Sequence, residues 1–412
     1  MNPSNGSADA TRQSEAPRPV FRPIRPEYPV TVDRRHCLRL RSRYNDCDRC
    51  AQVCPAHVLH VTNAAIELAD GCLRCGQCSA VCPTEALQTE GFALNPPPAA
   101  VSETLLYVDC WKVPVSDSPQ DAMRVPCLGG IALHRLVQWH AAAGGRQIVL
   151  IDRGWCGQCS AGCGANHPAR ETLDATRALL SELGVPDQAL PRIESLPLSR
   201  AQMPAEIPDP LAAQSLNRRE FFAGITRNAA RAIAPVAAGR PDEDAQSRRA
   251  HVAKIETTAR SQLLAQAAVV GARHGQPLPA ELFPALRVSD ACRNHRVCTA
   301  TCPTRALQAY ENEDRAAQGI AFDASACIAC GDCTRACPEQ ALTLIPQGDG
   351  EVPRGTTALT RWTLRECYDC GHEFADSSSS SVCPTCRKTR ELVRTSFSQL
   401  FAPRSGLQDE RM

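Results

Sequence analysis

Apolar positions along this chain come in short, widely separated runs. Thr104–Asp109 (TLLYVD) and Gln147–Asp152 (QIVLID) are apolar over strand length and read as buried strands of a parallel sheet. Between them, Gly129–His140 (GGIALHRLVQWH) reads as a helix. Together they predict a small α/β domain over residues 98–200. Residues 201–280 begin Pro-rich, turn Ala- and Arg-rich, and read as a helical linker. Residues 1–30 read as a disordered, Pro-rich tail and 393–412 as a second tail. No stretch approaches the roughly 18 apolar residues of a membrane helix, so no transmembrane segment is expected. The opening residues lack the apolar centre of a secretory signal, and a cytoplasmic chain is expected.

Composition sharpens this picture. The 412 residues hold 24 Cys and 32 Pro but only 9 Phe, 5 Tyr and 4 Trp. So few large apolar side chains argue against one large core and for several small modules held by something else. Lys and Arg number 45 against 44 Asp and Glu, a net charge of +1, which gives no basic platform for nucleic acid. In a reducing compartment, paired cysteines are read as metal ligands before disulfides. The cysteines fall into four groups, over 31–97, 98–200, 281–350 and 360–392, and every one of the 24 belongs to a group.

The first and third groups repeat each other. Cys72-Leu-Arg-Cys-Gly-Gln-Cys-Ser-Ala-Val-Cys-Pro matches Cys327-Ile-Ala-Cys-Gly-Asp-Cys-Thr-Arg-Ala-Cys-Pro, and both read C-x2-C-x2-C-x3-C-P. Cys54-Pro and Cys302-Pro echo the end of that run. Three closely spaced thiolates suit three corners of an iron–sulfur cube, and the fourth cysteine, before proline, points to a neighbouring cluster. The chain here resembles the dicluster [4Fe–4S] ferredoxins, over about 60 residues each time. The resemblance implies two ferredoxin-like dicluster modules, 31–97 and 281–350, and four [4Fe–4S] clusters. In the first module it implies one cluster on Cys54, Cys72, Cys75 and Cys78, and another on Cys47, Cys50 and Cys82. The last ligand of that second set is expected three residues before Cys47, where Tyr44 stands; Cys37 is the nearby candidate, at the cost of a longer loop. In the second module it implies Cys302, Cys327, Cys330 and Cys333, and a partner set of Cys292, Cys298 and Cys337 with His295 in the remaining position. Imidazole ligation there would raise the potential; a [3Fe–4S] cluster with His295 free, or an outside ligand, are the other readings.

Five cysteines lie in the α/β region: Cys110, Cys127, Cys156, Cys159 and Cys163. All are expected at carboxyl ends of parallel strands or at the adjacent helix start, where open α/β sheets build sites. The order Cys-Trp, Pro-Cys-Leu-Gly-Gly and a later cysteine group resembles the iron–sulfur subunit of methyl-viologen-reducing hydrogenases, which implies a [2Fe–2S] cluster. A zinc site or a redox-active thiol pair is the alternative. Cys367, Cys370, Cys383 and Cys386 form C-x2-C-x12-C-x2-C, four thiolates suited to one tetrahedral zinc, or iron. This pair of knuckles resembles zinc ribbons and rubredoxins, over 360–392.

The expected fold class is therefore α+β multidomain: two ferredoxin-like dicluster modules, a small α/β parallel-sheet domain, a helical linker and a zinc ribbon. No nucleotide-binding loop or hydrolytic triad is present, so no independent catalytic residue is expected. The chain reads as a multicluster electron-transfer protein. Its expected partners are redox proteins within a larger anaerobic oxidoreductase complex of hydrogenase, formate dehydrogenase or disulfide-reductase type. The second reading is a ferredoxin-type cytoplasmic maturation factor for an exported metalloenzyme. Its support is the internal segment Leu216–Ile225 (LNRREFFAGI), which resembles a twin-arginine export motif, and the zinc ribbon.

Overall fold

The structure, a computed structural model, describes residues 20–21, 30–92, 104–162, 167–202, 205–206, 253–312, 317–345, 355–376 and 380–401. Most of the expected 1–30 tail, residues 402–412, the Leu216–Ile225 segment and Cys163 lie outside them, but residues 393–401, read as tail, belong to the helix Pro384–Phe401. The chain divides into two units, Met1–Leu282 and Phe283–Met412.

The first unit opens with a cysteine module of very little regular structure. Strand β1 (Thr31–Val32) is followed by single-turn helices α1 (Leu38–Arg41) and α2 (Arg49–Gln52). A hairpin of β2 (Leu59–Val61) and β3 (Ile66–Leu68), helix α3 (Gln77–Ala80) and strand β4 (Leu87–Gln88) complete it. β4 returns antiparallel to β1, with Val32 opposite Leu87. Its apolar interior is small, with Leu38, Leu59, Ala86, Leu87 and Phe92 buried. Cysteine-lined space occupies what would otherwise be core.

The α/β domain follows. Strands β5 (Leu105–Cys110), β6 (Met123–Val125), β7 (Gln147–Asp152) and β8 (Arg192–Ser195) form a wholly parallel sheet in the order β6-β5-β7-β8. Both apolar runs read from the sequence are thus strands, paired Leu106 to Ile148 and Val108 to Leu150. Burial on both faces explains why they are continuous rather than alternating. Helices α4 (Leu133–Ala142) and α5 (Arg170–Glu182) cover the sheet, burying Leu136, Trp139 and Leu173 against Leu106, Ile148 and Leu150.

Most of the 201–280 segment lies outside the described residues, but helix α6 (Thr258–His274) does not. It packs Ala267 and Val270 among Val137 and Ala141 of α4 and Leu179, Leu180 and Leu183, adding a helix to the α/β domain. Its first turn receives the Glu85 carboxylate, which accepts from Ala259 N at 3.1 Å and suits the positive end of a helix. Gly275, with φ of 69°, ends it, as the Gln276 amide donates back to Gly271 O at 2.9 Å.

The second unit repeats the module's topology. Strand β9 (Ala285–Val288) pairs antiparallel with β12 (Leu342–Ile345), and β10 (Leu307–Glu311) forms a hairpin with β11 (Ala317–Phe322). Helices α7 (Val297–Thr301) and α8 (Asp332–Arg335) carry the cysteines between them. Strand β11 also pairs with β13 (Thr357–Ala358) and with β14 (Trp362–Glu366), which forms a hairpin with β15 (Glu373–Asp376). Module and C-terminal knuckles thus share one five-stranded sheet, and helix α9 (Pro384–Phe401) follows. Every residue of β11 is buried, as befits a strand flanked on both edges.

Gly319 makes this fusion feasible. A Cβ there would stand 2.0 Å from Thr360 O and 2.8 Å from a Tyr310 ring carbon. The same segment is tied by Tyr310 Oη, which donates to Thr360 O at 2.8 Å. Gly319→Ala is expected to destabilise the second unit by about 1–3 kcal/mol through overpacking. A lower urea midpoint for that unit's unfolding checks this.

Candidate metal centres

The cysteine loops have a common backbone device. Each of the four Cys-Pro steps is followed, three residues after the cysteine, by a non-glycine residue with positive φ: His57 at 53°, Glu85 at 54°, Arg305 at 61° and Gln340 at 48°. Such a conformation costs about 1 kcal/mol or more in an L residue and persists where surroundings impose it. Here it closes a turn, with His57 N, Glu85 N and Gln340 N donating to the carbonyls of Cys54, Cys82 and Cys337. The chain beyond the turn then aims amides at sulfur. Ala86 N reaches Cys82 Sγ at 3.2 Å, Ala341 N reaches Cys337 Sγ at 3.4 Å and Leu307 N reaches Cys302 Sγ at 3.4 Å.

The C-x2-C-x2-C loops share a second device. Arg74 and Gly76 have φ of 54° and 78°, and Ala329 and Gly331 have 52° and 75°. The residues two and four positions after the first cysteine are left-handed in both loops. Alternating conformations of this kind turn successive amides toward a concave anion site. Asn294 and Arg296, at 54° and 59°, repeat the pattern around His295.

These loops gather the cysteines into sets. Cys54, Cys72, Cys75 and Cys78 line one pocket. Cys302, Cys327, Cys330 and Cys333 line another. Cys292, His295, Cys298 and Cys337 line a third. Cys37, Cys47, Cys50 and Cys82 are electrostatic neighbours, so the long loop does bring Cys37 to its set. Burial first, then the neighbouring sulfurs, pushes the thiols of Cys50, Cys78 and Cys333 up to about 12. Burial likewise pushes Cys330 to about 12 and Cys75 and Cys298 to about 11, against backbone amide donors that lower all three. Thiols this hard to ionise become thiolates when a metal supplies the opposing charge.

In the α/β domain, four cysteines converge at the carboxyl end of the sheet. Cys110 ends β5, Cys127 precedes α4, and Cys156 and Cys159 follow β7. Cys159 acts electrostatically on Cys110, Cys127 and Cys156, and Cys110 acts on the last two as well. The fifth cysteine of this group, Cys163, is outside the described residues. Several neighbours of this site carry no sequence motif. Lys112 Nζ donates to Cys159 Sγ at 3.1 Å. Asp152 and His167 stand with Cys156, their ligand atoms all within 4.8 Å of one another. Asp109 and Arg153 hold the frame. They pair at 2.6 Å, with exposures of 0% and 6%, immediately before Cys110 and three residues before Cys156. Ser118 Oγ donates to the same carboxylate, and Arg153 donates to Leu196 O and Asp117 O, so both buried charges are compensated. The sequence offers no signal for this pair beyond two charged residues beside apolar strands.

The first module and the α/β domain meet at their sulfurs. Cys75, Cys127 and Ala161 form one buried cluster, with Leu73 and Cys159 against it. Gln77 Nε2 donates to Ala161 O at 2.7 Å, and a Cβ on Gly130 would stand 2.2 Å from Cys75 O. Within each module the two sets also adjoin, since Cys50 acts on Cys78 and Cys298 acts on Cys333.

The C-terminal set is different in kind. All four sulfurs of Cys367, Cys370, Cys383 and Cys386 lie within 4.8 Å of one another. Cys370 and Cys383 are 3.8 Å apart. Thiolates about 2.3 Å from one tetrahedral ion would stand about 3.8 Å apart, so this set fits a single ion. The Cys383 amide donates to Cys367 Sγ at 3.2 Å and holds that thiol down to about 6. Among the described residues, the other cysteine sets contain no three sulfurs so close, as is expected of thiolates that bind separate irons of one cluster.

Comparison with known families agrees with the loops. A 4Fe-4S binding domain model matches residues 68–88, and a second 4Fe-4S binding domain model matches residues 320–342. Each match contains a complete C-x2-C-x2-C-x3-C-P run. No curated protein matches the chain. The protein therefore carries two 4Fe-4S binding domains and a C-terminal cysteine cluster. Among the described residues, no helix is long and apolar enough to cross a membrane.

Removing one member of the Asp109–Arg153 pair strands a buried charge. Asp109→Ala is expected to cost about 3–5 kcal/mol, and replacing both residues by apolar ones of similar size is expected to cost much less. Urea unfolding of the wild type and both variants checks this. Cys370→Ala is expected to remove one metal ion per chain, as read by elemental analysis of the purified protein.

Proposed function

We propose that this protein is a multicluster iron–sulfur electron carrier. The reading assigns four cubane-type [4Fe–4S] sites, a further centre on the α/β domain's cysteines, and one zinc in the C-terminal knuckles. Such clusters accept and release single electrons at potentials set by their ligands, nearby donors and burial. The observation that carries the reading is the adjacency of the sets. In the first unit, Cys50 neighbours Cys78, and Cys75 packs beside Cys127 and Cys159. That gives a continuous order: the Cys37 set, the Cys54 set, then the α/β centre. Protein groups around this path supply orientation and charge. Lys112 places a cation beside Cys159, which favours the reduced state of a centre there. Short amide–sulfur contacts do the same at Cys82, Cys302 and Cys337.

The partners proposed are redox proteins of a larger oxidoreductase assembly, in the cytoplasm. No residue of the chain is assigned a substrate, so the catalytic step is placed in the partner.

Iron, sulfide and zinc analysis of the anaerobically purified full chain tests the proposal, with EPR during stepwise reduction. About sixteen to eighteen irons, spin-coupled [4Fe–4S] signals and one zinc are expected, since each cubane holds four irons. Four or fewer irons with several zincs would overturn it. Cys75→Ala is expected to remove one cubane signal and to slow reduction of the α/β centre from the first module, read by freeze-quench EPR.

A further inference from the structure

His295 stands where its two sister loops have cysteine. In Cys72–Cys78 and Cys327–Cys333, the middle ligand position is held by Cys75 and Cys330, each flanked by left-handed residues one before and one after. Cys292–Cys298 keeps both left-handed positions, with Asn294 and Arg296 and without a glycine. Two non-glycine residues in this conformation are costly together. The loop thus keeps the backbone of a cluster-binding run although its central residue is histidine. The imidazole lines the same cavity as Cys292, Cys298 and Cys337.

One of the ring nitrogens is engaged. His295 Nε2 lies 3.2 Å from Glu339 Oε1. Glu339 follows Cys337 by two residues, within the same Cys-Pro turn. At 48% and 40% exposure, this contact is worth little to folding. Its consequence is chemical: a carboxylate at Nε2 keeps the ring proton there and leaves Nδ1 as the lone-pair donor. Metal-binding histidines are oriented by such carboxylates, and losing the carboxylate weakens the metal bond. The other charged residues of the cavity are committed elsewhere. Arg296 faces Glu311 at 3.6 Å, and Arg293 donates to the carbonyls of Asp290 and Cys292.

We propose that His295 is the fourth ligand of the cluster on Cys292, Cys298 and Cys337, bound through Nδ1, with Glu339 as the positioning residue that holds its Nε2 proton. The proposal rests on the iron–sulfur reading and adds a nitrogen ligand and its orienting carboxylate. Three thiolates and one neutral imidazole leave this cluster one negative charge short of its neighbour on Cys302, Cys327, Cys330 and Cys333. It is therefore the higher-potential member of the pair, where an electron entering this unit comes to rest.

Pulsed EPR of the reduced full chain, labelled with ¹⁵N-histidine, is the test. The wild type is expected to show one strongly coupled histidine nitrogen, lost in His295→Cys with the iron content unchanged. Glu339→Gln is expected to speed loss of iron from this cluster to a chelator about tenfold. In the His295→Cys background the same substitution is expected to change nothing, because Glu339 acts through the imidazole. A wild type with full iron and no nitrogen coupling would overturn the proposal. So would an equal effect of Glu339→Gln in both backgrounds, which would make Glu339 a through-space charge. A wild type lacking cubane signals altogether would overturn the electron-carrier reading, and this proposal with it.

Discussion

Buried sulfur needs compensation, and the rest of this structure follows from how that is supplied. A thiol taken out of water resists ionisation, and several here are held at about 11 to 12 by burial and by each other. The fold supplies a side-chain cation beside Cys72, in Arg74, but burial and the neighbouring sulfurs prevail at Cys50, Cys78 and Cys333. It offers backbone amides as well, and amides point inward at a short loop only when alternate residues turn left-handed. The positive-φ residues after each Cys-Pro step and within each C-x2-C-x2-C run are the cost of that geometry. Metal binding returns more than the strain consumes, since ligation energy is folding energy for a module with so small an apolar interior.

The α/β domain solves a complementary problem. It has a conventional core, with Leu106, Ile148, Leu150 and Trp139 almost wholly inaccessible. Such a sheet can therefore carry a buried ion pair, Asp109 with Arg153, at the end where its cysteines gather. The pair adds little net stability once desolvation is counted, but it fixes the loops on either side of Cys110 and Cys156. Against this rigid edge the first module sets Cys75, with Gly129 and Gly130 permitting close approach. The module without a core thus leans on the domain that has one, and the contact falls at sulfur.

How much of this was legible in the sequence depended on whether a residue's role was local. The four Cys-Pro runs, the two apolar strands and the paired knuckles are local patterns, and each was readable from spacing. Cys37 was assigned by elimination, and its proximity to Cys47 and Cys82 comes from a loop whose path no spacing rule gives. Helix α6 read as part of a linker because its apolar face is mixed with Arg and Gln. Only packing against α4 reveals which face is buried. Lys112, Asp152, His167, the Asp109–Arg153 pair and Glu339 were invisible for the same reason. Each acts on a residue brought near by tertiary structure, and a lone charged or imidazole side chain has no periodic signature.

The shared sheet of the second unit also bears on what the C-terminal knuckles do. A metal knuckle pair needs only its own hairpin and ion to fold, so nothing in its chemistry demands a neighbour. Here its first strand, β14, is hydrogen-bonded to β11, whose other edge carries the cysteine module's hairpin. Gly319 lies in β11 where the chain of residues 359–360 crosses close by, and Ile320 N donates to Thr360 Oγ1 at 3.0 Å. A tethered but independent ribbon would have no such interlock. The arrangement joins the Cys367–Cys386 set to the His295-containing module through one sheet, with Tyr368 exposed beside the knuckle.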